Sequence, residues 1–444
     1  MTLRLILTLY SLNTGIMRRR YVIRPLDVGY SYSYESLHAP PGALIFPTKN
    51  LRIDQHSVQK RWGYSEDRDL GASIDTSNIA IYEMKDGTRN TMYLSAGNLH
   101  LKETGGSNTW SYKTDTYTTG TVTNITAAVV TGSGTSWDTS GLAAGDKFIA
   151  DADHSAAIEE DAQLAEILTV DGATQITLTA SYGGTTGAMS DTYKGRKVYT
   201  TPSNERWAWA VVDDKFCFTN GNSNVQKWTG TGYASDLDAT NAIKARYCIE
   251  YANRLVLADL SISGTRDPLM VQWSKEGDPT DWTDSTAGQN QLLKSEDHIT
   301  GMAKLGPNLI VYKRNSLTVA SRTGVSTSPI IFPIHRPGVG AYAPYGIIEA
   351  MGTNAFLGEH DFYVLKGDYP VSIGEEIRDF FFEQVPKSNV VNTVGFAVED
   401  EFEFHWLATT TSNGQLDFVY SMKNERWLVY DYGDTMNCGG RGAL

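Results

Sequence analysis

NAFLGEHDFYVLKGDYPVSIG, residues Asn354–Gly374, reads as an apolar strand, a short polar turn and a second strand that ends near a glycine. The same arrangement recurs along the chain. It appears in Met92–Trp110, in Phe216–Tyr233, from Leu255 through MVQWSKEGDPTDW (Met270–Trp282), in Leu309–Gly324 and in Glu401–Gly433. With Tyr93, Phe216, Leu255, Ile310, Ala355 and Glu403 as equivalent marks, the later gaps are 39, 55, 45 and 48 residues. The first gap is 123 residues and falls to 41 once an 82-residue segment, Thr118–Tyr199, is set aside. Several short strands at a period of about 40 to 50 residues are the signature of a β-propeller. A lone four-stranded sheet cannot bury both faces, whereas sheets set around an axis cover one another. The expectation is an all-β fold, a β-propeller of about six irregular blades, with an irregular pair of β-sandwiches as the alternative.

The set-aside segment has its own character. Ala127–Thr131, Lys147–Ala150, Ala165–Thr169 and Gln175–Thr179 read as strands between Gly-Ser-Thr turns, and Asp171-Gly172 signals a tight turn. This predicts a small inserted β-barrel-like or sandwich-like module over 118–199, which a surface loop accepts at low cost. The propeller then occupies 25–117 and 200–444, after an N-terminal arm over 1–24. Helical patterns are confined to Asp153–Leu168, rich in Ala and Glu, and Gly374–Gln384.

The 444 residues carry 38 Lys and Arg against 51 Asp and Glu, a net charge of −13. Tight non-specific wrapping of DNA needs the opposite sign, although a surface past which DNA slides does not. Cys217, Cys248 and Cys438 are too few and too scattered for a disulfide framework, which fits folding in a reducing compartment. No run of 18 apolar residues predicts a membrane-spanning helix. Leu3–Leu12 is apolar, but Met17-Arg18-Arg19-Arg20 follows it in place of a convincing cleavage site. A translation start at Met17, or a plain N-terminal strand, is preferred to a signal peptide.

A search for reactive groups yields no catalytic, cofactor-binding or metal-binding assignment. The eight histidines lack metal-ligand spacing, and no Cys-x-x-Cys, nucleophile elbow or phosphate loop is present. Gly338-Val-Gly340 lacks the third glycine and following helix of a dinucleotide site. Asp151-Ala-Asp153-His-Ser155 begins like a calcium loop, then places Ala156 where the sharp turn needs glycine and Ala162 where a closing Glu belongs. Glu401 and Glu403, alternating with Phe402 and Phe404, read as the solvated face of a strand before they read as a glycosidase acid pair. Trp228, Trp273, Trp282 and Trp427 sit at repeat ends and read as packing between blades before they read as a sugar platform. Arg18, Arg19, Arg20 and Arg24 form the one dense basic cluster. They are a candidate contact arm for an acidic partner or phosphate backbone, with a solvated arm as the alternative.

Four segments, in order, resemble the tail hub, nozzle and packaged-DNA stabilisation proteins of short-tailed phages. They are PPGALIFPTKNLRIDQHSVQKRWGY (Pro40–Tyr64), VQWSKEGDPTDWT (Val271–Thr283), GVGAYAPYGIIEAMGTNAFLGEHDFYVLKGDYPVSIGEEI (Gly338–Ile377) and NERWLVYD (Asn424–Asp431). The inserted segment resembles a β module of other phage virion proteins. The resemblance implies a structural virion protein of the phage tail, made in the host cytoplasm, and not an enzyme. Its copies would form a ring, as a homohexamer, below the portal and its adaptor. That ring would retain the packaged genome, conduct genomic DNA without sequence recognition during ejection, and meet a needle, fibre or other tail protein. Six copies at −13 each carry about −78, a sign that keeps phosphate from adhering to a lumen. A receptor- or glycan-binding virion propeller is the alternative, and a secreted propeller hydrolase is the third reading.

Overall fold

A computed structural model describes residues 76–433 apart from 96–97, 103–109, 155–162, 202–204, 239–241, 368 and 413. It also describes the short strands Gly29–Tyr30, Ala43–Leu44, Leu51–Asp54 and Ser57–Lys60. The chain is all-β. Among the described residues there are six four-stranded antiparallel sheets, each with its strands in chain order. Sheet I comprises Thr76–Glu83, Arg89–Ser95, Leu99–Lys102 and Trp110–Tyr112. Sheet II comprises Ala208–Val212, Lys215–Thr219, Gln226–Trp228 and Ser235–Asp236. Sheet III comprises Ile243–Tyr251, Arg254–Ile262, Thr265–Trp273 and Gly288–Gln291. Sheet IV comprises Ile299–Leu305, Asn308–Lys313, Ser316–Arg322 and Ile330–Pro337. Sheet V comprises Ile348–Ala350, Thr353–Leu357, Phe362–Lys366 and Tyr369–Ser372. Sheet VI comprises Val394–Val398, Glu403–Thr409, Gln415–Ser421 and Arg426–Tyr430.

Successive sheets are joined by apolar cores. Ala80, Met92 and Leu94 of sheet I meet Phe216, Phe218 and Trp228 of sheet II. Val212 and Cys217 of sheet II meet Ala245, Cys248 and Leu257 of sheet III. Val256 and Trp273 of sheet III meet Leu309 and Val311 of sheet IV, whose other face packs Ile310 and Tyr312 against Phe356 of sheet V. Phe362 of sheet V is a hub for sheet VI, with its ring 5.0 Å from Trp406 and 4.7 Å from Trp427. The second strand of each sheet is therefore covered on both faces. This explains why these strands read as nearly continuous apolar runs such as LIVYK rather than as clean alternation.

Tryptophan fastens the joints as well as filling them. The Trp207 indole N–H donates to the Ser95 carbonyl (2.6 Å), Trp427 to that of Ile373 (2.6 Å) and Trp406 to that of Gly346 (2.9 Å). Each bond spends a polar edge on the preceding sheet or its linker while the rings bury their faces. Gly340 serves the same closeness. A Cβ there would lie 2.1 Å from the Lys313 carbonyl oxygen, so no larger residue fits against the Lys313–Ser316 turn. Lys313 is itself buried, and its ammonium donates to the carbonyls of Leu292 (2.6 Å) and Ser295 (2.9 Å), which pins the linker between sheets III and IV.

Residues Thr116–Arg196, between sheets I and II, form one eight-stranded antiparallel sheet with its own core around Trp137, Phe148, Ile167 and Tyr193. Its root is packed into the main body. Arg196 is buried with its guanidinium 4.4 Å from the Tyr112 ring centre, and Lys197 pairs with Asp115 at 2.5 Å. The Tyr199 hydroxyl accepts from the Asp115 amide and donates to Gln226 in sheet II.

Three sequence expectations are corrected. Ala165–Leu168 is not helical but opens the strand Ala165–Gly172, preceded by a 3-10 turn over Asp151–Asp153; residues 155–162 lie outside the described residues. The Ala and Glu content favours a helix, but Glu166 pairs across the strands with Lys147 at 2.8 Å, and Ile167, Thr169 and Val170 are β-branched. The tight turn falls at Ala173-Thr174, not Asp171-Gly172. Asp171 instead sits at the bulge between Val170 and Gly172, its carboxylate accepting from Thr169 (2.8 Å) and Thr177 (2.6 Å). The other helical pattern is a helix only over Arg378–Gln384, where Phe380 and Phe381 turn into the core beside Phe362 and Phe418.

Candidate functional site

The first strands of the six sheets lie beside one another in series, from Thr76–Glu83 through to Val394–Val398. Linkers that lead into the first strands of sheets IV, V and VI meet beside them. They bring His298, Pro344, Tyr345, Val391 and Asn392 around a cleft of 220 Å³, with Arg246 and Thr300 from the first strands of sheets III and IV. Arg314, just past the second strand of sheet IV, and Tyr342 complete the lining.

One wall is a hydrogen-bonded clasp. Arg246 pairs with Glu205 through two nitrogens, Nε lying 2.7 Å from Oε2. The Tyr345 hydroxyl donates to the same Glu205 oxygen (3.0 Å) and accepts from the Arg206 amide (2.8 Å). Residues ahead of sheet II are thus tied to the linker ahead of sheet V. Behind Arg246, the fully buried Asp259 carboxylate receives both Nε and Nη2 of Arg266, at 2.7 and 2.6 Å. Asp259 stands at a β-bulge with φ of +54°, a conformation Asp tolerates better than most residues.

The charges do not cancel. Arg246 is matched by Glu205 and Arg266 by Asp259, whereas no carboxylate among the described residues lies within ion-pair distance of Arg314. Its guanidinium rests 4.6 Å from the centre of the Tyr342 ring, a cation–π arrangement. His298 is held below its ordinary pKa, first by burial and then by Arg246, Arg266 and Arg314, with Asp259 opposing. Thr300 is buried and its hydroxyl has no hydrogen-bond partner. Apart from Glu205 in the clasp, which is committed to Arg246 and Tyr345, no carboxylate and no thiol among the described residues lines the cleft.

The sequence candidates are placed elsewhere. Arg18, Arg19, Arg20 and Arg24 lie outside the described residues. The carboxylates of the calcium-like segment are taken up by protein groups: Asp151 by Thr192 and Lys194, Asp153 by Tyr182 and Thr185. Trp228 and Trp427 are buried between sheets, Trp273 is buried beside Ile299 and Leu309, and Trp282 packs against the core between sheets II and III. Glu403 is a correction. It is buried, not solvated, with its carboxylate 3.5 Å from His405 Nε2, because its strand is central and covered on both faces. Phe402 is the exposed residue of that alternation, in a left-handed conformation with φ of +57° at the start of the strand.

The segment DPTDWTDST (278–286) carries a signal that motif searches overlook. Asp278, Asp281 and Asp284 each accept from the amide and the hydroxyl of the Thr two residues on, which makes three successive Asx-type turns. Lys275 lies within 4 Å of both Asp281 and Asp284. The cleft residues were missed for another reason. Arg314 and His298 stand in no motif, and only alignment of the repeats shows that polar residues recur just ahead of the first strands, at Glu205, His298, Tyr345 and Asn392.

No family model matches the chain, and no curated protein matches it. Solved structures with similar backbones include a catalytically inactive virginiamycin B lyase from Staphylococcus aureus with quinupristin. It is 12% identical, with 76% of this chain and 93% of that one covered at a TM-score of 0.32. AztD of Citrobacter koseri is 10% identical, with 81% and 83% covered and a TM-score of 0.33. Hsv2 of Kluyveromyces lactis is 9% identical, with 80% and 98% covered and a TM-score of 0.32.

Proposed function

We propose that the chain is a structural subunit of a short-tailed phage tail, a hub or nozzle protein. Its six sheets close into a propeller, and its copies form a sixfold ring below the portal and adaptor. The observation that carries the reading is the serial face-to-face packing of six four-stranded sheets with adjacent first strands, the arrangement a closed ring of blades requires. One detail brings the two ends of the chain together. Gly29–Tyr30 and Leu51–Asp54, from the N-terminal part, lie against Arg426–Tyr430, the last strand of sheet VI. Leu51–Asp54 and Arg426–Tyr430 also belong to segments that resemble the phage proteins. A further resembling segment, Val271–Thr283, ends in the Asp-Thr turns at the outer side of sheet III.

The buried ion pairs and turn caps make a stiff body, and the eight-stranded module is anchored to it through Arg196, Lys197 and Tyr199. A rigid body of net charge −13 suits a wall past which DNA moves without sticking. The module would meet a needle, fibre or neighbouring tail protein. In the ring, each copy would contact the next head to side. Cryo-electron microscopy of the purified tail tests the reading. The expected result is six copies around the tail axis, each with its sheets arranged radially. Copies placed off the axis, or a DNA path that avoids them, would overturn it.

A further inference from the structure

The cleft at the start of the first strands is unusual within an acidic chain, because the charges beside it leave one guanidinium over. Arg246 and Arg266 are consumed by Glu205 and Asp259. Glu359, the carboxylate whose field reaches Arg314, is held by Lys387 at 3.1 Å. Arg314 is left half-buried over Tyr342, with its donors uncommitted to any carboxylate. Five N–H groups in a fixed fork match the two oxygens of a carboxylate or phosphate. The Thr300 hydroxyl is a second, independent indication. A buried hydroxyl without a partner is destabilising, a cost that a ligand atom accepting its proton removes.

We propose that this cleft binds one small oxyanion-bearing molecule, its carboxylate or phosphate held by Arg314 with Thr300 and Asn392, and its body set against Tyr342, Pro344 and Val391. A volume of 220 Å³ suits a molecule about the size of one sugar acid or sugar phosphate, below the span of drug-sized pockets. The oxyanion is the shared chemistry, and whether carbon or phosphorus bears it is for the experiment to divide. His298 borders the site, and its ring can hydrogen-bond the body of the ligand. The site is complete within one chain and does not depend on assembly into a ring.

Isothermal titration calorimetry of the full chain with glucuronate, glucose 6-phosphate and glucose tests this on one scaffold with a carboxylate, a phosphate or neither. At least one anion is expected to bind one per chain, at least tenfold more tightly than glucose. Arg314→Gln should weaken that binding at least tenfold while leaving the melting temperature unchanged, and Arg314→Lys should recover part of it. Thr300→Val should raise the melting temperature of the free protein while weakening the anion several-fold. Glucose binding as well as the anions, neither anion binding, or affinity unchanged in Arg314→Gln would each overturn the proposal.

Discussion

Nδ1 of His405 lies 2.7 Å from Oδ2 of Asp417, inside sheet VI, with neither side chain more than one-twentieth exposed. The Asp417 oxygen also accepts from the Tyr432 hydroxyl at 2.7 Å, and the Phe396 ring stacks 4.7 Å from the imidazole. Burial alone would push the imidazole pKa down. Asp417 and Glu403 outweigh it and hold the group up to about 9. Two carboxylates around one imidazolium therefore make a buried ionic knot, and its removal leaves uncompensated charge.

That knot gives the first prediction, and the sign follows from the direction of the shift. A group whose folded pKa is raised stabilises fully below its unfolded pKa, here near 6.5, and loses that contribution as pH climbs through about 9. The lost stability is on the order of 3 kcal/mol. His405→Gln should destabilise the protein by about 3–5 kcal/mol near neutral pH, because Asp417 and Glu403 keep their burial without a cation. Denaturant melts between pH 6.5 and 9.5 should show the gap between wild type and variant narrowing upward. A gap that is flat or widens with pH would refute the assignment.

The second prediction concerns the clasp at the cleft. Tyr345→Phe removes one hydroxyl that serves both the Arg206 amide and Glu205, and should cost about 1–2 kcal/mol. Glu205→Gln weakens the bond to Arg246 and should cost a similar amount or more. The two changes share one carboxylate oxygen, so the double variant should lose less than the sum of the singles. A strictly additive pair of losses in urea titrations would mean that the two groups do not act through Glu205.

How much of this was legible beforehand depends on which force wrote the pattern. The repeat period was readable because every sheet must supply similar apolar strands, and the tryptophans were assigned to packing because their burial is an area effect. Glu403 was misread because alternation implies a wet face only when the strand has one, and a central strand covered on both sides breaks that rule. Asp171-Gly172 was misplaced by two residues because the Asp side chain found its partners along the strand, at Thr169 and Thr177, instead of starting the turn. Arg314 was invisible because its isolation is a fact about where the linkers ahead of sheets IV, V and VI meet in space, which no local window contains.

The third prediction follows from the Asp-Thr turns of 278–286. Asp281 and Asp284 have lowered pKa values, first through hydrogen bonds from Thr283 and from Thr286. Their contribution is present above the ordinary carboxylate pKa and disappears as pH falls through the lowered values. These side chains are partly buried within their own loop, so the effect should be local. Asp281→Ala should speed amide hydrogen exchange across residues 275–286 and leave the rest of sheet III unchanged. Faster exchange that extends into Arg254–Ile262, or no change in the loop, would count against independent turn caps.

The fourth prediction uses the root of the inserted module. Tyr117 and Gly195 are direct partners across antiparallel strands, so residues 118–194 can be cut out and replaced by Asn-Gly, the two-residue loop that such a pair accepts. The excised module has its own core around Trp137 and Phe148, and its loss takes nothing from the joint between sheets I and II. The shortened chain should keep its six-sheet body and melt within a few degrees of the full protein. A cut from Thr118 through Tyr199 is different. It strips the Tyr199 ring from Trp207 and Phe218, 5.5 and 5.9 Å away, and leaves the Asp115 carboxylate buried without Lys197. The cavity and the stranded charge should together cost several kcal/mol, and this second variant should melt far lower or fail to fold. Equal melting of the two variants in calorimetry would show that the root belongs to the module and not to the body.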